Sequence, residues 1–366
     1  DLSHGDNHLT RFHLYCDQSS SHEVTAVNEN QISFESPICI LAGPTGVGKT
    51  DLAVSLALEW NTDIISADSM QVYRQLSIGT ARPTLEELKG VTCHLTGFQP
   101  LESTFDVAGF ITGAETIIAS LRVQNKRPLI AGGTGFYIRG LLHGLFENAP
   151  RHDDIRAGLN ERVEKEGPAV LHRELEGVDP AAAARIKPGD RYRIVRALEV
   201  YYSTGAPISA HHARHHVPRY RHPHVLVVVT RDRDDLYGRI NTRVERMMQT
   251  GLLDEVRDLV QEGYDENLHP LRALGYRELM RALKGEIALK EAVEEMKKLT
   301  RRFAKRQLTW FRGMKSALWI NVTGRTLEQA LLEIRSAFEK KENIHTFFPC
   351  APGVSGLSPE QTSTKI

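Results

Sequence analysis

Five short apolar segments recur along the chain, and each is followed by polar or glycine-rich residues. They span residues 37–42, 62–67, 127–131, 224–230 and 317–322. Apolar segments of this length are typical of strands in a parallel sheet that helices cover on both faces. The pattern therefore predicts an α/β fold in which helices flank a parallel sheet.

Two longer stretches have helical character. Residues 132–223 are rich in Arg, Glu and Ala and carry few strand signals, so we expect a helical insertion, at residues 145–216, between the third and fourth strands. Residues 234–315 are again helical, with apolar positions such as Ile240, Val244 and Met247 three or four residues apart. We therefore assign residues 36–144 and 217–341 to the core.

Composition changes this picture mainly at the two ends of the chain. Residues 1–35 contain six acidic residues, a single arginine and no apolar stretch, so we predict a loose N-terminal tail that resembles neither a secretory signal nor a transit peptide. Residues 342–366 are rich in Pro, Gly and Ser, which predicts a disordered C-terminal tail.

Charge and cysteine content narrow the function classes. With 46 Lys and Arg against 46 Asp and Glu, net charge gives no argument for a polyanionic partner, so only a local concentration of charge could provide one. No apolar segment approaches the roughly 20 residues of a membrane-spanning helix, and we expect no membrane association. The four cysteines are widely spaced, which favours a reducing, cytoplasmic compartment over a disulfide framework.

A phosphate-binding loop follows the first predicted strand. Residues 43–50 read GPTGVGKT, and a helical pattern begins at residue 51, so both the spacing and the context of such a loop are met. We expect its backbone N–H groups and the Lys49 ammonium to bind phosphate oxygens, and the Thr50 hydroxyl to be a Mg²⁺ ligand. The loop is typical of nucleotide-binding and ATP-binding proteins, but by itself it indicates only a diphosphate or polyphosphate.

Polar residues also follow the second and third predicted strands. Asp68 comes after the second strand, where its carboxylate is a candidate Mg²⁺ ligand, general base or helix N-cap. Gly132, Gly133 and Thr134 follow the third, and these glycines permit close backbone approach while Thr134 offers a hydroxyl. Ligands of open α/β sheets bind beyond the carboxyl ends of the strands, so we expect these segments to meet at that edge of the sheet.

The segment from residue 296 to residue 315 is strongly basic. It holds eight Lys and Arg and no acidic residue, interleaved with Phe303, Trp310 and Phe311. This composition favours a surface for a polyanion, although a solvated helix face has the same pattern. A second basic patch lies at residues 185–196, where Tyr192 is a candidate stacking platform.

A histidine-rich run spans residues 211–224. His211 and His215 have the helical spacing of metal ligands, as do His212 and His216. No carboxylate or cysteine lies nearby to complete a site, so we favour a weakly basic loop.

Several motifs, in order, make the chain resemble the tRNA dimethylallyltransferases, also called tRNA isopentenyltransferases. The resemblance covers residues 38–338, and its motifs lie at residues 43–50, 67–73, 79–83, 132–137, 196–200, 204–207, 239–243, 274–278 and 304–310. Many eukaryotic members carry a C-terminal zinc finger, whereas the last segment here has only Cys350. The resemblance is therefore to the bacterial type, and it implies a phosphate-loop NTPase-like sheet.

The resemblance implies transfer of a dimethylallyl group from dimethylallyl diphosphate to N6 of the adenosine 3′ of the anticodon in certain tRNAs. Asp68 corresponds to the general base, and Lys49, Thr50 and Arg243 complete the implied catalytic group, with Mg²⁺ as the cofactor. The implied diphosphate-binding residues are Gly43, Pro44, Thr45, Gly46, Val47, Gly48, Lys49, Thr50 and Arg243.

The resemblance also implies contacts with the tRNA anticodon stem-loop, which the insertion and the core would clamp. The implied contact residues are Asp68, Ser69, Met70, Gln71, Thr134, Arg156, Tyr192, Arg193, Ile194, Val195, Arg196, Arg272, Ala273, Leu274, Gly275, Tyr276, Arg277, Lys305, Arg306, Gln307, Leu308, Thr309, Trp310, Phe311 and Arg312. We expect a monomer.

Two other function classes are compatible with the residues alone. A nucleotide or small-metabolite kinase shares the phosphate loop, the parallel sheet and a carboxylate base. An RNA-binding module in which the loop serves only as a switch would need no Asp68 carboxylate.

Overall fold

The computed structural model describes residues 36–144, 152–214, 220–340 and 343–345. In this part of the chain, one sheet contains β1 (Ile38–Ala42), β2 (Ile64–Ala67), β3 (Cys93–His94), β4 (Leu129–Gly132), β5 (His224–Thr230) and β6 (Ala317–Asn321). The helices of the first half are α1 (Lys49–Trp60), α2 (Leu85–Leu88), α3 (Val107–Val123), α4 (Gly135–His143), α5 (Asp153–Glu166), α6 (Pro168–Val178), α7 (Pro180–Ala183), α8 (Arg191–Thr204) and α9 (Ile208–Arg214). Those of the second half are α10 (Arg233–Gln249), α11 (Leu252–Gln261), α12 (Tyr276–Leu283), α13 (Leu289–Arg312) and α14 (Leu327–Glu339), with a 3₁₀ turn at His269–Arg272.

The sheet is parallel throughout, in the order β3-β2-β4-β1-β5-β6. The predicted α/β class is thus confirmed, and each of the five apolar segments contains a strand. The second strand begins at Ile64 rather than at residue 62, because Thr62 closes the end of α1 by donating its N–H to Ala57 O. Sequence reasoning missed β3, whose two residues are too few to form an apolar segment.

Alternate residues of the central strands pack into two different apolar cores. Leu41 of β1 lies in a core with α1 and α14, whereas its neighbour Ile40 packs with Phe110 of α3 and Ile138 of α4. Both faces of the sheet are therefore covered, which explains why these strands are apolar at every position. The polar residues of the site are left to the ends of the strands.

The described residues between α4 and β5 are mainly helical, as predicted, and form α5 to α9. Leu159, Leu171, Ile194 and Leu198, from α5, α6 and α8, are buried in one apolar cluster of their own. Residues 145–151 lie outside the described part of the chain, and the limits 145–216 stay a prediction.

The histidine run is not the loop that the sequence predicted over its first residues. Helix α9 begins after Pro207, whose carbonyl accepts from the N–H groups of Ala210 and His211, and it extends to Arg214. Proline supports a helix start because its φ is already helical. Residues 215–219, the tail at 1–35 and all of 342–366 except 343–345 lie outside the described residues. In the described part, no group of three or more His, Cys, Asp or Glu is arranged to hold a metal ion.

A third apolar core joins the second helical stretch to the segment after β2. Val244, Leu252, Tyr276 and Met296, from α10 to α13, pack with Leu76. Gly251, with φ 102°, breaks the predicted stretch between α10 and α11. Over the described residues, none of these helices is long and apolar enough to cross a membrane.

Candidate active site

The ends of three adjacent strands bring the predicted site segments together. Gly132 at the end of β4 is in register with both Ala42 of β1 and Ala67 of β2. The segments that begin at Gly43, Asp68 and Gly133 therefore leave the same edge of the sheet side by side. This is the edge at which open α/β sheets bind ligands.

The phosphate loop turns from β1 into α1. Gly46 and Gly48 have φ values of 81° and 97°, which a residue with a Cβ rarely adopts, and Gly48 is the N-cap of α1. The helix starts at Lys49, earlier than the predicted residue 51, so its first N–H groups belong to the loop. The helix N-terminus thus points its positive end into the loop, where an anion is stabilised.

Two arginines hold the outer side of this loop. Arg231 Nε donates to Val47 O at 2.9 Å, and Arg239 Nε donates to Gly46 O at 3.1 Å. The loop conformation is therefore supported by the residue that follows β5 and by α10, as well as by its own glycines. Sequence reasoning assigned no role to Arg231, because its partner is 184 positions away in the chain.

Lys49 folds back over its own loop. Its Nζ donates to Gly43 O at 2.9 Å and to Pro44 O at 2.8 Å. Burial, reinforced by the nearby positive charge of Arg243, lowers the pKa of Lys49 to about 7, and the negative charge of Asp68 opposes that shift. A phosphate group at this position would favour the charged ammonium.

Arg243 is a half-buried cation on α10. Burial lowers its pKa, while the carboxylates of Asp68 and Glu87 favour its charged form. Over the described residues, its guanidinium forms no ion pair, although a buried charge without a partner is costly. The positive charge of Arg243 also acts on Lys49, so the site brings two cations and the Asp68 carboxylate within electrostatic range of one another.

Asp68 is held rigidly at the end of β2. Its Oδ1 accepts from Met70 N at 2.9 Å and from Gln71 N at 3.3 Å. The helix N-cap alternative is wrong, because residues 69–75 form bends and turns rather than a helix, and α2 begins only at Leu85. These bonds fix the carboxylate in a side-chain-to-backbone turn, and its charge reaches both Lys49 and Arg243.

Thr134 joins the turn after β4 to the turn after β2. Its Oγ1 accepts from Ser69 N at 3.1 Å, and its own N–H donates to Ala67 O at 3.0 Å.

Thr50 lies exposed in the first turn of α1, and its hydroxyl has no hydrogen-bond partner among the described residues. A free hydroxyl beside a phosphate loop is a hard oxygen donor of the kind that Mg²⁺ prefers.

Comparison with known proteins agrees with this geometry. A family model described as IPP transferase matches residues 71–314, and a second model, isopentenyl transferase, matches residues 36–97. The chain belongs to the IPP transferase family. Among curated relatives, the tRNA dimethylallyltransferase of Syntrophobacter fumaroxidans is 44% identical over 285 residues, which are 78% of this chain and 83% of the relative. That of Symbiobacterium thermophilum is 42% identical over 84% of this chain and 97% of the relative.

Solved structures of the IPP transferase family have the same fold. The full-length tRNA isopentenylpyrophosphate transferase of Bacillus halodurans is 36% identical, with a TM-score of 0.62, and the match covers 84% of this chain and 98% of that chain. A eukaryotic dimethylallyltransferase, described as acting on tRNA, is 26% identical with a TM-score of 0.69, over 79% and 74% of the two chains. The phosphate-loop NTPase-like sheet predicted for this family member is therefore confirmed.

The basic segment of this IPP transferase lies on α13, and most of its charge faces solvent. Lys297 is an exception, because it pairs with Glu245 and Glu294, and Arg301 donates to Asn241 Oδ1. The exposed basic side chains without an ion pair in the described part are Lys298, Arg302, Lys305, Arg306, Arg312 and Lys315. The uncompensated charge is thus smaller than the sequence indicated, but most of it lies in the C-terminal half of α13, with Lys315 just after the helix.

Not every predicted RNA-contact residue reaches the surface. The exposed members are Tyr192, Arg193, Arg272, Arg277, Lys305, Arg306, Thr309, Trp310 and Arg312, and Asp68, Ser69, Met70, Gln71, Thr134, Arg156, Arg196, Ala273, Leu274 and Leu308 are half-buried. The buried members are Ile194, Val195, Gly275, Tyr276, Gln307 and Phe311. Apolar side chains buried in this way pack the interior, so they support the exposed neighbours rather than contact RNA themselves.

Two buried carboxylates orient predicted RNA-contact arginines, and sequence reasoning missed both. Glu199, fully buried on α8, forms ion pairs with Arg156 at 2.8 Å and with Arg196 at 3.1 Å. These cations lower the pKa of Glu199 against the opposing effect of its burial. Glu278, also fully buried, pairs with Arg277 at 2.8 Å. The only sequence signal is an acidic residue one or three positions from an arginine.

Proposed function

We propose that the protein transfers a dimethylallyl group from dimethylallyl diphosphate to N6 of the adenosine that lies 3′ of the anticodon in certain tRNAs, and releases diphosphate. One observation carries the proposal: Lys49 of the phosphate loop lies within electrostatic range of a second cation, Arg243, and of the fixed carboxylate of Asp68. The names of the family's curated members agree with this reaction.

The first chemical requirement is activation of the amine. The lone pair of adenine N6 is delocalised into the ring, so a base that accepts its proton accelerates attack, by about 10²- to 10⁴-fold for positioned general bases. Asp68 is suited to this role because the Met70 and Gln71 N–H groups bind only its Oδ1. Its other carboxylate oxygen has no hydrogen-bond partner among the described residues, and it remains available for the amino group.

The second requirement is stabilisation of the leaving group. When the bond between the allylic carbon and oxygen breaks, negative charge develops on diphosphate, and preorganised cations and N–H groups stabilise it. Lys49, Arg243 and the N-terminus of α1 meet this need. Thr50 is suited to hold Mg²⁺, which would supply further charge neutralisation on the diphosphate.

The third requirement is presentation of the base. A base in a stack must be extruded before it can react, which costs a few kcal/mol that contacts elsewhere offset. We assign those contacts to the exposed basic half of α13, to Arg272 and Arg277, and to Tyr192 and Arg193 of the insertion. The anticodon stem-loop would lie between the insertion (145–216) and the core, bound by one monomer.

The decisive experiment is incubation of the protein with unmodified tRNA and dimethylallyl diphosphate, followed by mass spectrometry of the nucleosides. A five-carbon adduct on adenosine is expected, and its absence would overturn the proposal. Inclusion of ATP addresses the kinase alternative, which no observation favours: ATP hydrolysis, or competition of ATP with dimethylallyl diphosphate, would support a kinase. Loss of the adduct in Lys49→Ala, without either effect of ATP, excludes it.

A further inference from the structure

Gln307 is the polar member of an otherwise apolar helix face. On α13, Ala304, Gln307 and Phe311 follow one another at helical spacing and are all buried, whereas Lys305, Arg306 and Thr309 are exposed. The side chain of Gln307 therefore points away from the surface that we assign to RNA. A buried amide needs partners for both its oxygen and its nitrogen, and these partners identify its role.

Both partners belong to the loops of the active site. Gln307 Oε1 accepts from Thr45 N in the phosphate loop at 2.9 Å, and its Nε2 donates to Gly133 O at 2.9 Å. A Cβ on Gly133 would lie 2.3 Å from Gln307 Nε2, so only glycine allows this approach. One side-chain amide thus joins α13, the phosphate loop and the turn after β4. Gln307 and Thr45 are 262 positions apart in the chain.

The bond to Thr45 has a consequence for anion binding. N–H groups of a phosphate loop bind phosphate oxygens only when the loop holds them in the right directions. Gln307 Oε1 occupies the Thr45 N–H. It thereby fixes the part of the loop that precedes the N–H groups of Gly48, Lys49 and Thr50. Without the Gln307 amide, Thr45 N and Gly133 O would lose their hydrogen-bond partners. We expect the two loops to rearrange, because buried backbone groups without partners are costly.

We propose that Gln307 is a positioning residue that sets the diphosphate-binding conformation of the phosphate loop from the inner face of the RNA-binding helix. This inference rests on the proposed function, and it replaces the prediction that Gln307 contacts tRNA. A direct RNA contact would weaken RNA binding when Gln307 is changed. A positioning role weakens diphosphate binding instead.

The test compares Gln307→Leu and Gln307→Glu with wild type in the full-length protein. Three quantities are measured: the Kd for inorganic pyrophosphate, the KM for dimethylallyl diphosphate and the Kd for an anticodon stem-loop RNA. For the leucine variant we expect the first two to rise about tenfold, the usual effect of one or two lost buried hydrogen bonds. RNA affinity should stay within about twofold. Gln249→Leu, at an exposed glutamine near the end of α10, is the matched control and should change none of the three.

The glutamate variant separates positioning from packing. A glutamate side chain has the size of glutamine, and its carboxylate can accept from Thr45 N but cannot donate to Gly133 O. Once protonated, it regains a donor. The pyrophosphate affinity of Gln307→Glu, relative to wild type at each pH, should therefore recover as the pH falls, whereas the leucine variant should show no such trend.

The proposal is overturned if RNA affinity falls while pyrophosphate affinity holds, which would return Gln307 to the RNA contacts. It is equally overturned if both affinities fall in parallel with the thermal midpoint and the glutamate variant shows no recovery, since that outcome indicates packing alone. Pyrophosphate binding needs no turnover. A wild-type protein without prenyl transfer would contradict the proposed function but would leave this comparison intact.

Discussion

The phenolic hydroxyl of Tyr276 donates a 2.7 Å hydrogen bond to Oε1 of Glu255. The same carboxylate accepts from the backbone N–H groups of Ser77 at 3.0 Å, Ile78 at 2.8 Å and Gly79 at 3.2 Å. Burial and the Glu255 charge both raise the pKa of Tyr276, so its proton stays in place and it remains a donor. Glu255 therefore ties α11 and α12 to the turn at residues 77–81.

The 77–81 turn supports the segment that carries Asp68. Gln71 Nε2 donates to Thr80 O at 3.2 Å and to Ala81 O at 3.1 Å, while the Gln71 N–H binds Asp68 Oδ1. A chain of hydrogen bonds thus runs from Glu255 through the 77–81 turn to the proposed base. Glu255 lies 177 positions from Ile78 in sequence and belongs to none of the motifs, so the sequence did not indicate this role.

Loss of the Glu255 carboxylate should destabilise the fold, because several donors lose their acceptor at once. We expect Glu255→Ala to lower the free energy of unfolding by about 3 kcal/mol and Tyr276→Phe by about 1 kcal/mol. The double variant should lose less than the sum, since both changes remove one shared bond. Denaturant unfolding measures all three. Glu262→Ala, at an exposed position after α11, is the control, and strict additivity would contradict the coupling.

The Asp68 carboxylate should matter for chemistry and not for RNA binding. Asp68→Asn keeps an oxygen for the Met70 and Gln71 N–H groups but cannot accept a proton from the amine. We expect kcat to fall by about 10²- to 10⁴-fold, with RNA affinity within about threefold of wild type. Single-turnover prenylation and RNA binding measure the two effects, with the exposed Asp254→Asn as control. Unimpaired turnover in Asp68→Asn would remove the base from the mechanism.

Local motifs explain which parts of the site could be predicted. The phosphate loop and Asp68 were predictable because each follows directly on an apolar strand, and parallel strands bring their carboxyl ends to one edge. The basic character of α13 was also readable, since charge is a local property of sequence. The partners of Glu255 and Gln307 were not, because hydrogen bonds between distant segments leave no periodic trace.

The sequence also could not show which residues of a motif are buried. Gly135 and Trp310 illustrate the reason: a Cβ on Gly135 would lie 2.2 Å from Trp310 Cδ1, so the glycine is required by a helix 175 positions later in the chain. Phe311, the next residue after Trp310 and part of the same predicted RNA-contact segment, is buried in the core. A motif read as one functional unit therefore combines surface residues with the residues that hold them.

Lys49 should make diphosphate binding dependent on pH. Its pKa is about 7 in the free protein, and a bound diphosphate favours the charged form and so raises that pKa. At pH 8, where free Lys49 is mostly neutral, binding must be accompanied by proton uptake, and the contribution of Lys49 to affinity weakens as the pH rises above 7. Below about pH 6 the side chain is already charged, and no uptake is expected.

Calorimetry in two buffers of different ionisation enthalpy measures the protons taken up when pyrophosphate binds. Lys49→Met serves as the reference, because the difference between the two proteins removes the protonation of the ligand itself. Wild type should take up more protons than Lys49→Met at pH 8 and an equal number at pH 6. Equal uptake at both pH values would show that the ammonium does not respond to the anion.

Arg306 should contribute to RNA binding through its charge. Its guanidinium lies 5.6 Å from the ring centroid of Phe303 on the exposed face of α13, without an ion pair in the described part of the chain. Each cation that neutralises a phosphate releases bound counterions, so its removal makes affinity less dependent on salt. For Arg306→Ala we expect weaker binding of the anticodon stem-loop and a slope of log K against log salt that is shallower by about one.

Lys290→Ala is the matched control, because it removes an exposed charge about 24 Å away along the same helix at 1.5 Å per residue. A fall in slope for both variants would mean that RNA responds to the overall charge of α13, whereas an unchanged slope in Arg306→Ala would exclude this residue from the interface.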